Sequence, residues 1–309
     1  MPRKTDPVKR TENDLDLADV LTSWKRHLSA ERKSPQTIRT YEAGVGQFIA
    51  WLAETGRPAS LDVDTVIDWT NHLLQTGSPA TALSRQASVR RLSAWAASKG
   101  ITGPDQLGQV RPPKVDEALI EGLTPAQLKA LLATCDGKDF RHVRDIAIIR
   151  FMCETGTRAS EVTAMTTADI DLDRRIAIVR RGKGGRGRLV PFSPQCAAAV
   201  DDYLRARRKH QRAKAGSDAL WLGESGRGLG YWGLYSGLTR RGEAAGIRDM
   251  HPHRLRHTAA IRWLDKGGSP TGLMAVAGWS SVDMLRRYIR AAEGELAAGE
   301  ADRLNLGDL

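Results

Sequence analysis

The sequence predicts a mainly helical protein with one small β-hairpin in its second half, an α+β fold. Apolar residues recur at three- to four-residue intervals along most of the chain, which is typical of amphipathic helices. Residues 175–180 instead alternate in the manner of a strand. A stretch rich in glycine and proline at 103–122 separates two regions, and 309 residues suffice for two domains of roughly 100–200 residues. We expect a polar tail over 1–14, a helical domain over 15–102, a linker over 103–122 and a second domain over 123–309.

The first domain is predicted to contain four helices. The first begins near Leu15, and the second begins at Ser34-Pro35, where serine is a favoured N-cap and proline a favoured first helical residue. The third spans about 62–75, and the fourth begins at Ser78-Pro79 and ends at Gly100. Four such helices in about 90 residues form a compact all-α domain.

The second domain is predicted to be helical apart from the hairpin. Thr124-Pro125 begins a helix, a second covers about 141–154, and a short one lies near 158–165. Strands over 175–180 and 188–192 flank a glycine-rich basic turn. Ser193-Pro194 begins another helix that ends near 208, and the remainder is helical with glycine breaks.

The composition favours a soluble, cytoplasmic protein with a polyanionic partner. The chain carries 47 Lys+Arg and 36 Asp+Glu, a net charge of +11, and 33 of the basic residues follow residue 110. The first residues are polar with no apolar stretch, and no run of eighteen apolar residues exists, so we expect neither a secretory signal nor a membrane span. Its three cysteines form no CxxC pair, so we expect neither a disulfide scaffold nor a structural zinc site.

Five motifs in the second domain carry functional groups suited to phosphate chemistry. In chain order they are Thr155-Gly-Thr-Arg158-Ala-Ser-Glu161, the turn Gly182-Lys183 to Pro191, His253-Arg-Leu-Arg256-His257, Gly278-Trp279, and Arg286-Arg287-Tyr288. Converging guanidinium groups bind a phosphate in planar forks, and they stay charged at every relevant pH. Histidine three residues before arginine shares its helical face.

The remaining groups complete a site for attack on a phosphodiester. An indole N–H only donates hydrogen bonds, so Trp279 is suited to a phosphate oxygen and not to proton abstraction. A tyrosine hydroxyl is a weak nucleophile whose phenolate is stabilised by neighbouring cations. Such a site needs no metal, since the cations supply the transition-state stabilisation. We therefore expect no metal and no cofactor.

Together these motifs resemble those of the tyrosine recombinases, or phage integrases. They cover the whole second domain, with 32 residues from Arg256 to Tyr288 and nine from Trp279 to Tyr288. The helical first domain, with Ser34-Pro-Gln-Thr-Ile38 and Tyr41, resembles the family's core-binding domain. The layout is similar to that of the simple Xer-like members, which lack an arm-binding domain.

The resemblance implies a role for each motif residue. Arg158 and Arg256 would bind the nonbridging oxygens of the scissile phosphate, and Tyr288 would attack it to form a 3′-phosphotyrosine link. Lys183 would protonate the leaving 5′-oxygen with help from His253. Glu161 would orient the basic cluster. Trp279 stands where most members carry histidine, which leaves it hydrogen bonding and packing but no proton transfer.

The resemblance also implies partners. These are double-stranded DNA with a specific core site, a homotetramer on two such sites, and accessory DNA-bending or directionality proteins. The tail 289–309 would dock on a neighbouring protomer through leucines such as Leu296, Leu304 and Leu306. The candidate DNA contacts, for which a solvated surface is the alternative, are Arg85, Arg90, Arg91, Arg186, Arg188, Arg240 and Arg241.

The sequence is also compatible with other roles for several of these residues. Tyr288 and Trp279 are also compatible with core packing, Glu161 with a surface helix, and His257 with a bracing role. The spacing of His251, His253 and His257 also permits a metal site. A non-catalytic DNA-binding regulator and a type IB-like topoisomerase are the alternative functions.

Overall fold

The computed structural model describes residues 16–116, 120–180, 187–210, 217–290 and residue 304. The chain divides into two compact units, Met1–Glu117 and Ala118–Leu309.

The first unit contains α1 (Leu17–Ala30), α2 (Pro35–Glu54), α3 (Val63–Thr76) and α4 (Pro79–Ser98), followed by a 3₁₀ turn at Leu107–Gln109. A side chain caps each helix by accepting a backbone N–H of its first turn. The four caps are Asp16, Ser34, Asp62 and Ser78. The four predicted helices and the two Ser-Pro starts are therefore confirmed.

The core of the first unit is aromatic. Phe48 lies 4.9 Å from Trp69 between ring centroids, and both are completely buried. Helices α2 and α4 pack closely because Gly44 has no side chain. A Cβ at Gly44 would lie 2.6 Å from Cβ of Ser88.

The second unit contains most of the remaining elements. The helices are α5 (Pro125–Ala133), α6 (Phe140–Thr155), α7 (Ala159–Ala164), α8 (Pro194–Lys209), α9 (Tyr231–Ala244), α10 (Pro252–Asp265) and α11 (Pro270–Ala277). A further helical segment covers 282–290. The predicted start at Thr124-Pro125 is confirmed, with Thr124 and Gln127 forming a capping box.

The sheet has three antiparallel strands, β1 (Ile170–Asp171), β2 (Ile176–Val179) and β3 (Arg188–Pro191), in the order β1-β2-β3. The β2–β3 hairpin was predicted, and its register pairs Val179 with Arg188. Strand β1 was not predicted, because two residues are too few for alternation to be visible. The turn residues 181–186 lie outside the described part of the chain.

Two apolar clusters stabilise the second unit. The larger lies among α6, α8 and the sheet and includes Phe151, Tyr203 and Trp221. The smaller contains Leu264 and Leu273 with Trp279, Leu285 and Tyr288, so it links α10 and α11 to the segment 282–290. The cysteines Cys135, Cys153 and Cys196 are free and buried. Within the described ranges, no helix is long and apolar enough to cross a bilayer.

Candidate active site

The site is built on three helix ends. Helix α6 ends at Gly156, whose φ of 60° is the left-handed conformation that glycine adopts without strain. Two residues later Arg158 occupies the N-cap position of α7, with extended backbone. This short reversal places the Arg158 side chain beside the first turn of α7, which contains Glu161.

Glu161 joins two arginines. Its carboxylate accepts the backbone N–H of Arg158 at 2.8 Å and the Arg158 Nη1 at 3.0 Å. It also accepts both Nη atoms of Arg188, at 2.9 and 2.8 Å, in a fork. The Glu161 side chain is only 3% exposed. Burial opposes its ionisation, but the hydrogen bonds from Arg188 and Arg158 outweigh burial and lower the pKa of Glu161.

Three successive carbonyls at the end of α11 receive three different arginines. The Val276 oxygen accepts Nε of Arg188 at 2.7 Å, and the Ala277 oxygen accepts Nη2 of Arg256 at 2.8 Å. The Gly278 oxygen lies 3.5 Å from Nη2 of Arg158. The last carbonyls of a helix lack internal partners and form its negative end, so guanidinium groups are favoured there.

Arg256 is the most deeply buried of these arginines, with 2% exposure. It also donates to the carbonyl of Gly156. Burial, and then the charge of Arg158, lower the pKa of Arg256 to about 10, so it remains protonated at neutral pH. The described cluster of Arg158, Arg188, Arg256 and Glu161 carries a net charge of +2. Such a site is suited to an anion.

Tyr288 lies against this cluster and is completely buried. Its ring stacks on Trp279 with centroids 4.7 Å apart, and Trp279 in turn lies 5.5 Å from the Arg256 guanidinium. The Tyr288 hydroxyl is hydrogen-bonded to Nδ1 of His257 at 2.6 Å. Burial raises the pKa of Tyr288, against the opposing charges of Arg256 and Arg287. The tyrosine is therefore a neutral phenol in this state.

His253 lies one turn before His257 on α10, with ring centroids 4.6 Å apart. Much of its side chain is exposed. Its partial burial and then the charge of Arg256 lower the pKa of His253. Thus His253 is a neutral imidazole at the open side of the cluster.

The structure therefore brings together six of the seven expected catalytic positions: Arg158, Glu161, His253, Arg256, Trp279 and Tyr288. Lys183, the seventh, lies outside the described residues, as does Arg186. Among the described residues, no group of three or more His, Cys, Asp or Glu side chains could hold a metal ion.

The expected DNA contacts divide into two groups. Arg91 and Arg240 are exposed, and Arg85 is half-buried. Arg90, Arg188 and Arg241 instead bind protein atoms. Arg90 donates to the carbonyls of Leu107 and Gly108, whereas Arg241 donates to Asp145.

Two participants were not expected in the site. The sequence predicts Arg188 as a DNA contact. Nothing near Arg188 in the sequence indicates an ion pair with Glu161, which lies 27 residues earlier. His257 was considered a bracing residue. The sequence does contain a signal for His257. It lies one helical turn after His253, and this spacing places both histidines on the same face of α10.

Comparison with known proteins identifies the family. The Phage integrase family matches residues 121–295, and the Phage integrase, N-terminal SAM-like domain matches residues 21–100. The relatives include the tyrosine recombinase XerC of Roseiflexus castenholzii, 30% identical over 88% of both chains. The tyrosine recombinase XerC of Mycobacterium bovis is 31% identical over 90% of this chain and 96% of its own.

Solved structures share the fold. The Tn1549 transposon integrase in complex with transposon right end DNA has a TM-score of 0.71 at 21% identity, covering 94% of this chain and 100% of its own. The XerH site-specific recombinase bound to a palindromic difH substrate has a TM-score of 0.71 at 17% identity, covering 91% and 83%. With both family domains matched and the motif residues gathered at one site, this chain belongs to the phage integrase family and is a tyrosine recombinase.

Proposed function

We propose that this protein is a site-specific DNA recombinase that cleaves and rejoins strands through a covalent link to Tyr288. The observation that carries the proposal is the position of Tyr288, which packs on Trp279 beside the buried Arg256. The similarity to Xer recombinases and the DNA-bound structural neighbours support a DNA substrate.

In the proposed reaction, Arg158 and Arg256 bind the nonbridging oxygens of the scissile phosphate. Within the described part of the chain, Arg256 uses only part of its five N–H donors on the carbonyls of Gly156 and Ala277. Trp279 is suited to a third contact, because its buried Nε1–H has no acceptor among the described residues. Charge that develops on the pentavalent phosphorus is stabilised by fixed cations, with no step that requires a metal ion.

The Tyr288 oxygen forms a bond to phosphorus as the bond to the 5′-oxygen breaks. The leaving oxygen takes a proton from Lys183, with His253 assisting at the open side of the cluster. Glu161 and Arg188 act as positioning residues for Arg158. The phosphotyrosine conserves the energy of the broken bond, so a 5′-hydroxyl from a second duplex completes rejoining without ATP.

Recombination requires two such exchanges. We propose a homotetramer on two core sites, with a four-way junction between the first and second exchange, and a biological role in integration, excision or resolution of DNA. In this tetramer, the tail 289–309 of each protomer docks on a neighbouring protomer.

The proposal is tested with a suicide substrate, which is a duplex nicked near the cleavage position. After cleavage the short released fragment diffuses away, so rejoining is prevented and the covalent adduct is trapped. The substrate is drawn from DNA that flanks the gene or is selected by binding. Wild type should form a protein–DNA adduct that resists denaturation, and Tyr288→Phe should bind the same DNA without forming it. Absence of an adduct from wild type on DNA that it binds specifically would favour the non-catalytic regulator.

The same preparation separates the topoisomerase alternative. A recombinase should act only on DNA containing its core site, whereas a topoisomerase should relax any supercoiled plasmid. Relaxation of a plasmid without the site, at the rate seen with the site, would contradict the proposal.

A further inference from the structure

The Tyr288 hydroxyl is buried and is hydrogen-bonded to His257. Nδ1 of His257 lies 2.6 Å from the Tyr288 oxygen, and the two rings are 5.5 Å apart between centroids. Tyr288 is completely buried, while His257 is half-buried. Within the described residues this is the side-chain hydrogen bond that the Tyr288 hydroxyl makes.

Both partners of this hydrogen bond are uncharged at neutral pH. Burial, and then electrostatic interactions with His253, His251, Arg256 and Arg287, lower the pKa of His257 to about 4. The imidazole is therefore neutral at pH 7, and the phenol, whose pKa is raised by burial, keeps its proton. In the tautomer that carries the imidazole proton on Nε2, Nδ1 of His257 accepts the hydrogen bond that the Tyr288 hydroxyl donates.

We propose that His257 is the general base that takes the proton of Tyr288 as its oxygen attacks the scissile phosphate. The inference rests on the proposed function of Tyr288 as the nucleophile. As the Tyr288 oxygen bonds to phosphorus, its proton passes to Nδ1 of His257. The bond to the 5′-oxygen breaks, and that oxygen is protonated by the general acid. In rejoining, the imidazolium returns the proton to the departing phenolate, so the cycle is balanced.

The other side chains at the site are less suited to this step. Trp279 cannot accept a proton, and the arginines are already protonated. His253 contacts the His257 ring but makes no hydrogen bond to the Tyr288 hydroxyl in the described structure. Bound phosphate would also favour proton transfer to His257. Its negative charge offsets the positive charges of Arg256 and Arg287, which disfavour an imidazolium at position 257.

Two substitutions separate proton transfer from positioning. In His257→Asn, the amide oxygen lies near the place of Nδ1, so it can accept the hydrogen bond but cannot take the proton. His257→Ala loses both functions. General bases contribute about 10²–10⁴-fold. We therefore expect both variants to form the adduct about 100-fold more slowly or worse in single turnover on the suicide substrate.

The pH profile provides a second readout. Wild-type cleavage should rise through the apparent pKa of the His257–Tyr288 pair in the DNA complex and then level off. Cleavage by His257→Asn should keep rising with pH towards the ordinary pKa of tyrosine, about 10. Added imidazole should restore part of the activity of His257→Ala. The matched control is His142→Asn on α6, which changes a partly exposed histidine that pairs with Asp139 and makes no described contact with His257 or Tyr288, so it should leave the rate unchanged.

The outcomes are distinct. Cleavage by His257→Asn at the wild-type rate, with the wild-type pH profile, would overturn the inference even if His257→Ala were slow, because positioning alone would then explain the hydrogen bond. DNA binding and thermal unfolding confirm that each variant is folded, and the asparagine variant suffices if the alanine variant is unstable. A wild-type protein that forms no adduct would instead contradict the proposed function itself.

Discussion

Glu161 shows how a single side chain supports the site. A carboxylate that is 3% exposed would be costly alone, yet here it binds two guanidinium groups and a backbone amide. The Glu161 side chain therefore holds Arg158 and Arg188 in fixed positions, and it reduces the repulsion between neighbouring cations.

We expect Glu161→Gln to lower the free energy of unfolding by about 3–5 kcal/mol at pH 7, the usual cost of breaking a buried ion pair. Because the folded-state pKa of Glu161 is lowered, its contribution is complete above the ordinary value of 4.5 and declines as pH falls through the folded pKa. Chemical denaturation measures the free energy of unfolding of wild type and variant. The difference between these two free energies should therefore shrink below pH 4.5.

The control for this substitution is Glu224→Gln. Glu224 pairs with Arg141 at the surface, where both side chains are about half exposed, so its loss should cost about 0–1 kcal/mol. The structural role of Glu161 would be contradicted if Glu161→Gln lost as little free energy of unfolding as Glu224→Gln. A loss that grows at low pH would contradict it as well.

At the scale of the secondary-structure elements, α2 and α4 depend on a glycine contact. The Cβ that alanine adds at Gly44 would lie 2.6 Å from Cβ of Ser88, which is too close for either helix to stay in place. We expect Gly44→Ala to lower the free energy of unfolding by about 1–3 kcal/mol. Gly46→Ala in the same helix meets nothing within 4 Å and should stabilise by up to about 1 kcal/mol. Equal effects of the two substitutions in thermal denaturation would be inconsistent with this packing.

Two glycines on either side of α11, Gly278 and Gly267, allow a second matched comparison of alanine substitutions. Gly278 has a φ of 66°, and its Cβ would lie 2.9 Å from Nη1 of Arg188. Gly267 has a φ of 74° with no atom within 4 Å of its Cβ, so alanine there introduces only backbone strain. Gly278→Ala should therefore slow adduct formation by displacing Arg188, whereas Gly267→Ala should cleave like wild type. If both variants cleaved equally well, Arg188 would not need its present position.

The elements were largely predictable because local signals mark their ends. The Ser-Pro pairs at residues 34 and 78 are both a cap and a first helical residue, and the structure has helices at both. Strand β1 had no such signal. In the site, motif spacing indicated Tyr288 and Arg256, but the ion pair of Arg188 with Glu161 depends on tertiary packing that the sequence pattern does not encode.

On the scale of the whole molecule, the charge of +11 belongs mostly to the region after residue 110. A few of these charges are fixed within the site, and Arg241 is held by Asp145 inside the second unit. Exposed arginines such as Arg91 and Arg240 are therefore the candidates for contact with a nucleic-acid backbone.

We expect specific DNA affinity to fall steeply with salt. If the protein contacts about 6–10 phosphates, the binding constant should fall by about 10³–10⁵ between roughly 50 and 200 mM monovalent salt. Arg240→Gln should reduce the slope of log K against log salt by about one. Arg241→Gln should not change that slope, because its charge is directed to Asp145. A binding constant independent of salt, measured by fluorescence anisotropy, would argue against an interface dominated by phosphates.

The three carbonyls at the end of α11 connect parts of the site that are far apart in sequence. Arg158, Arg188 and Arg256 come from three different elements, but all are anchored to residues 276–278, which immediately precede Trp279 and lie ten to twelve residues before Tyr288. Displacement of this turn would loosen the anion-binding groups and withdraw the nucleophile together. We therefore expect a protomer in which this turn is displaced to lose phosphate binding and cleavage together.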